Sequence, residues 1–221
     1  LMSGKVFSFD TVSEFDSHIE MSVPNYIHIH ELILNISSYF ITNNTNVYDL
    51  GCSTGFLLKK IKHKHQDKNI HYFGYDISDN LLSNSEDKLF FIKQDITEDN
   101  LLFKNTDLIL SIFTLQFLSV TNRTKILKKV YDSLNKGGCF ILTEKIYMSD
   151  GFIQDIYNFT HYDIKRKEFK SEDILNKQVT LREIMKPLTD NENKCVLKKA
   201  GFKYVESFFQ SLNFKGWICI K

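Results

Sequence analysis

Three acids and one glycine loop carry the first legible chemistry. Val47 to Gly55 reads Val-Tyr-Asp-Leu-Gly-Cys-Ser-Thr-Gly: an apolar run closing on Asp49, a loop with Gly51 and Gly55, then helical spacing from Phe56 to Ile61. That is a strand, a tight turn and a helix start. Glycine at position 51 allows backbone conformations that a side chain forbids and lets a ligand lie against the main chain. The first N–H groups of the following helix point at whatever is bound. The dinucleotide fingerprint requires Gly-x-Gly-x-x-Gly, and here Ser53 fills the middle glycine position, with no Gly-Lys-Ser/Thr behind it to hold a triphosphate. Pyrophosphate therefore fits poorly. Asp49, two residues ahead of the first glycine, suits a ligand with an ammonium group or ribose hydroxyls. A second strand, His71 to Asp76, also ends in an acid, about one βαβ unit downstream. A carboxylate there reaches ribose hydroxyls through charge-assisted hydrogen bonds worth ~1.5–3 kcal/mol each. The competing reading makes Asp76 the N-cap of a short helix after Ser78, since aspartate is a favoured cap. Asp95, near the end of a third strand over Leu89 to Ile96, falls beside the same crevice.

A second group of chemistry-bearing residues is His161, Tyr162, Lys165 and Arg166. The i,i+4 spacing puts His161 and Lys165 on one helical face, so the set offers a base, an acid and an anion clamp; the plainer reading is a solvated helix face. No metal site is expected: His28, His30, His63, His65 and His71 include i,i+2 pairs that a helix points apart. Cys52 reads as a small buried residue rather than a nucleophile. Cys52, Cys139, Cys195 and Cys219 form no C-x-x-C pair, which argues against a zinc knuckle or a disulfide framework and fits a reducing cytoplasm. Lys and Arg number 28 against 27 Asp and Glu, so the net charge of +1 gives no bulk grip on nucleic acid. The first residues lack the profile of a signal peptide. The most apolar stretch, Leu108 to Val120, is polar-interrupted and shorter than the roughly 20 residues of a membrane span.

The elements that must position these groups follow the chain. Phe9 to Val23 and Tyr26 to Ile41 carry helical spacing on either side of Pro24, which predicts an N-terminal helical cap over residues 1–44. After the three acid-ended strands come an apolar fourth strand, Leu108 to Phe113, a helix over Asn122 to Leu134 stopped by Gly137-Gly138, and a fifth strand, Cys139 to Glu144. Ser149 to Lys170 reads as one helix followed by a charged stretch to Lys186, a helical lid insertion over residues 149–187. A last helix over Asn191 to Ala200 leads to strands Tyr204 to Phe209 and Gly216 to Lys221. The pattern predicts a single domain of 221 residues: an α/β, Rossmann-like, doubly wound seven-stranded sheet with one antiparallel edge strand.

Asp-x-Gly-Cys-x-x-Gly resembles motif I of the class I S-adenosylmethionine-dependent methyltransferases. Nearly the whole chain is similar to one family among them, the carboxy-S-adenosylmethionine synthases of the tRNA wobble-uridine modification pathway. The resemblance runs through Ser22-Val23-Pro24-Asn25-Tyr26, motif I, Phe113-Thr114-Leu115-Gln116-Phe117-Leu118, Glu144-Lys145, His161 to Arg166 and Ala200-Gly201-Phe202. It implies S-adenosyl-L-methionine as cofactor, Tyr26 as a ligand contact, and Gly51, Cys52 and Ser53 as the cradle. Asp76 with Ile77 would hold the ribose and flank the adenine, and Asp95 with Ile96 would take the adenine edge. It also implies a homodimer. Two positions depart: Ile112 stands where the family has an asparagine, and the arginine that grips the extra carboxylate falls on Gln178 or Val179, with Arg182 one helical turn beyond. Because of that missing arginine, the first expectation is methyl transfer to a small molecule with His161, Tyr162 and Arg166 serving the acceptor. The second is the family's own activity, making the carboxylated cofactor with prephenate as carboxyl source, or another non-methylating use such as intramolecular cyclisation. The third is a cofactor-binding protein without catalysis.

Overall fold

The computed structural model describes residues 15–78 and 84–221, with side chains from residue 18 onward. The short helix expected after Ser78, and the cap residues before Phe15, lie outside this range. Two helices, α1 (Phe15–Ser22) and α2 (Tyr26–Ser37), precede β1 (Asn46–Leu50), α3 (Phe56–Lys64), β2 (His71–Asp76), β3 (Leu89–Lys93) and β4 (Thr106–Ile112). After a 3-10 turn at Leu115–Phe117 come α4 (Val120–Ser133), β5 (Leu134–Lys145), α5 (Gly151–Lys165), α6 (Ser171–Ile184), α7 (Asp190–Ala200), β6 (Tyr204–Ser211) and β7 (Phe214–Ile220).

The seven strands form one sheet in the order β3-β2-β1-β4-β5-β7-β6. β1 to β5 pair in parallel, and β7 runs antiparallel to both β5 and β6, so the closing hairpin supplies the antiparallel edge. The strand order reverses beside β1, between β1 and β4, which is the point where open α/β sheets bind ligands at the strands' carboxyl ends. Alternation of side chains along each strand sends Val47, Leu108, Leu110 and Ile141 to one face, against α2 and α3. Tyr48, Leu50, Ile109, Phe140 and Leu142 go to the other, with α4 and α7.

Three differences from the sequence expectation concern the elements around the strand ends, and the closing strands also run longer toward their turn, to Ser211 and from Phe214. β3 stops at Lys93 because Asp95 Oδ1 accepts from both the N–H and the hydroxyl of Thr97, at 2.8 and 2.7 Å, turning the chain off the ladder. The Gly137-Gly138 pair lies inside a long β5 rather than between elements: pairing with β4 shifts between Leu134 and Cys139, and Gly137, at φ +79°, takes the irregular turn. The helix expected over Ser149 to Lys170 is α5 and ends at Lys165, and the charged stretch after it is itself a helix, α6, with Glu172 and Asp173 in its first turn matching the positive end of its dipole.

β7 is anchored from α7. Asp190, the first residue of α7, accepts from the indole N–H of the fully buried Trp217 at 3.0 Å and from the ammonium groups of Lys215 and Lys194 at 2.9 and 3.1 Å. Burial alone would raise its pKa, and these hydrogen bonds outweigh that and hold it below the usual range. Asp190→Ala leaves Lys215 and Trp217 without their acceptor, and the expected loss is about 2–4 kcal/mol of stability in denaturant melts. A lowered folded pKa contributes stability present above the unfolded value of 3.8, so the gap from native should narrow as pH falls below that value.

Candidate functional site

At the carboxyl ends of the strands lies a cavity of about 570 Å³. All ten residues expected to hold the cofactor line it: Tyr26, Asp49, Gly51, Cys52, Ser53, Asp76, Ile77, Asp95, Ile96 and Ile112. Its floor is the glycine loop. Gly51 sits at φ +80°, and a Cβ there would fall 2.2 Å from Thr114 Oγ1, so only glycine lets the loop after β1 pass this close to the turn after β4. Gly55, the N-cap of α3, has no side-chain acceptor, which leaves the first-turn N–H groups facing the cavity without an internal cap. Ser53 is a non-glycine at φ 50°, and Asp76 Oδ2 accepts its N–H at 2.9 Å. The other oxygen of Asp76 accepts from Ser78 N at 2.9 Å, so one carboxylate fixes the loops after β1 and β2 together. Phe113 is a second strained residue, at φ 57°, directly after β4, and it too lines the cavity.

Asp49 is buried and its Oδ1 has no hydrogen-bond partner. Burial, and then the charge of Asp76, raise its pKa to about 7. A cation brought beside it would remove that penalty, so this half of the cavity suits a ligand that is positively charged and carries hydroxyls. Cys52 is no nucleophile: burial first, then Asp49 and Asp76, push its thiol far above the usual range.

The other part of the cavity is basic. His18 from α1, Lys145 from β5, His161 and Lys165 from α5 and Lys177 from α6 all line it. Burial pushes Lys145 down to about 8 and Lys177 to about 7, each further lowered by Lys165, which burial lowers in turn. Lys165 acts on Lys145 and Lys177, the lysines act on the two imidazoles, and the charge acting on Asp49 is that of Asp76. His161 Nε2 lies 3.0 Å from the carbonyl oxygen of Ser22, which can only accept, so Nε2 carries the proton. Burial foremost lowers its pKa to about 4, and the imidazole is neutral. Lys177 donates to His18 Nε2 and to Ser22 Oγ. Ser22 thus gathers α1, α5 and α6 over the basic region.

Two residues expected to serve an acceptor do not reach the cavity. Tyr162, next to His161 on the helix, turns away and packs edge-on against Phe159 at 6.0 Å between rings. Arg166 pairs with Asp163 in solvent at 2.9 Å. Gln178 lines the cavity, whereas Val179 is 45 % exposed and Arg182 points outward. His18, His30, Lys145 and Lys177 line it without having been given a role there; Lys145 ends β5, a position that could have marked it, but nothing local marks the others.

A methyltransferase-domain family matches residues 48–140. The carboxy-S-adenosyl-L-methionine synthase of Staphylococcus epidermidis is 39% identical over 222 residues, covering 97% of this chain and 95% of that protein. The synthase of the same name from Shewanella amazonensis is 34% identical over 97% of this chain and 93% of its own. Among solved structures, a SAM-dependent methyltransferase from Archaeoglobus fulgidus superposes with a TM-score of 0.66 at 16% identity, over 94% of this chain and all of that one (100%). Human N-acetylserotonin methyltransferase in complex with SAM gives 0.62 at 16% identity, over 94% and 55%. The glycine loop, the strand-end acids and these similarities agree on an S-adenosylmethionine-dependent enzyme with a Rossmann-like fold, and the chain belongs to the carboxy-S-adenosyl-L-methionine synthase family.

Proposed function

We propose that this chain makes carboxy-S-adenosyl-L-methionine, adding a carboxyl group to the cofactor, in place of the methyl transfer that its missing arginine first suggests. The observation that carries the reading is the basic lining: three lysines, each desolvated by burial, in the same cavity as the acids that suit the cofactor. Methyl transfer to a neutral acceptor needs alignment and little else; a cluster of buried ammonium groups has a use when carboxylates enter the site. When bound, S-adenosylmethionine supplies a sulfonium-activated methyl group. Asp49 and the Gly51-Cys52-Ser53 cradle take its amino-acid end, Asp76 with Ile77 the ribose and one adenine face, and Asp95 with Ile96 the adenine edge. Tyr26 and Ile112 close over it. The carboxyl source implied by the resemblance, prephenate, brings anionic groups that Lys145, Lys165 and Lys177 bind and orient. His161 is a weak base at a pKa of about 4, and its part is to hold α5 to Ser22.

One observation favours the second reading, methyl transfer to a small molecule: Gln178 gives the cavity no guanidinium for a carboxylate. Mass spectrometry of the cofactor after incubation with S-adenosylmethionine and prephenate separates the two. The expected product is the cofactor heavier by the mass of carbon dioxide, one methyl hydrogen having given way to a carboxyl group, and dependent on prephenate; S-adenosylhomocysteine with a methylated acceptor would install the second reading.

The role given to Asp49 has a pH signature. Its raised pKa means that the free protein must release a proton before the carboxylate can meet a cation, so cofactor affinity is expected to rise with pH up to about 7 and then level off. Calorimetry across this range checks it, and Asp49→Asn should flatten the dependence.

We also propose the homodimer that the resemblance implies. Its support is a row of exposed apolar side chains on one face of α5, Phe152, Ile156 and Phe159, with Leu175 and Val179 also exposed on α6. Light scattering is expected to give twice the chain mass, and Phe152→Glu with Phe159→Glu to return it to one.

A further inference from the structure

We propose that Lys145 and Lys165 together form the clamp for a carboxylate in this cavity, one ammonium group from the end of β5 and one from α5 doing the work of a guanidinium. The inference rests on the carboxylating reading above and names the residues that such a reaction depends on in this chain.

Of the basic groups facing this region, three have structural commitments. Lys177 on α6 donates to His18 Nε2 and Ser22 Oγ, His18 on α1 is the acceptor of that bond, and His161 on α5 donates to Ser22 O. Lys145 and Lys165 remain. Among the described residues neither ammonium has a hydrogen-bond acceptor or a carboxylate within ion-pair distance. Lys165, only 4 % exposed, has the ring of Phe169 at 5.5 Å. Both stems are fixed at their bases. Gln116 Oε1 accepts from Lys145 N at 2.7 Å, and one turn ahead of Lys165 the ring of His161 is tied to Ser22. A desolvated ammonium without an acceptor is unfavourable, and a second one nearby adds repulsion. A carboxylate between them supplies both acceptors and cancels the repulsion. Its two oxygens can each take one donor, as they would from a guanidinium, but from two elements instead of one side chain. Gln178 is neutral, and Arg182 lies outside the cavity, so no guanidinium competes for this place.

The carboxylate belongs either to the carboxylated cofactor or to the acid that donates it, and the two are separated by measuring each alone. Dissociation constants for S-adenosylmethionine and for carboxy-S-adenosylmethionine, without donor, are taken on the native chain, Lys145→Gln, Lys165→Gln, Arg182→Ala and the double variant Lys165→Gln with Gln178→Arg. The donor's half-saturating concentration is measured on the same set. The expected result is a native preference for the carboxylated cofactor of tenfold or more, a loss of about tenfold of that preference in either lysine variant, no change in Arg182→Ala, and recovery in the double variant. The native preference should also decline as pH rises above about 8, where Lys145 loses its charge. If the cofactor ratio is unmoved but the donor's half-saturation rises about tenfold in both lysine variants, the clamp stands and holds the donor. Binding of plain S-adenosylmethionine reports that each variant is folded. Lysine variants that keep both the native ratio and the native donor half-saturation overturn the clamp, while the carboxylated product still formed by the native chain leaves the proposed function intact. A lysine-dependent preference in a chain that forms no carboxylated product would do the reverse, sparing the clamp and removing the function.

Discussion

Cation against cation is the constraint around which the upper half of this molecule is arranged. Like charges repel more strongly as water is withdrawn from around them, and here three lysines line one cavity, each desolvated by burial, with Lys165 further lowering the pKa of the other two. The fold tolerates this in two ways. It lowers the proton affinity of the group, so that Lys177 and Lys145 titrate near 7 and 8, and it spreads the stems over β5, α5 and α6, each fixed elsewhere. A ligand with carboxylates would relieve what remains.

Strain on the floor of the cavity has a parallel logic. Ser53 and Phe113 both sit in the left-handed region without being glycine, a cost on the order of 1 kcal/mol each. Both follow strands at the sheet's switch point, and both are held: Ser53 by Asp76, Phe113 by a backbone bond from its N–H to Thr143 O at 2.8 Å. The close approach of Thr114 to Gly51 binds these two loops into one surface. The same acid that would meet the ribose therefore also holds the loop proposed to meet the rest of the cofactor.

The cover over the basic region is tied back to the sheet through the turn after β4. Gln116 accepts from Lys145 N, its carbonyl accepts from Lys186 N at 2.7 Å, and the buried Arg123 donates to Lys186 O at 2.8 Å and to Leu118 O at 3.2 Å. Arg123 also opposes the effect of burial on Glu144, whose pKa burial raises to about 8. The end of α6 is thus fixed to the residues that follow β4 and to the end of β5.

The sheet, the glycine loop and the acids Asp49, Asp76 and Asp95 at or just past the strand ends were legible in the sequence, because those features are written in local spacing: an apolar run, an acid, a glycine, a helix period; the ten residues expected to hold the cofactor line one cavity. It also put His161 and Lys165 on one face, which the structure keeps. Sequence spacing could not tell that Tyr162 and Arg166 turn outward, since which face of α5 points down depends on the bond from His161 to Ser22, 139 residues away in sequence. For the same reason Lys177 and His18 carried no signal: their meeting is made by α1 and α6, elements with no local connection. Tertiary structure alone decided that the lysines of β5, α5 and α6 converge on one cavity, because convergence is a property of how separate elements pack, and charge in a sequence is ordinarily a sign of solvent.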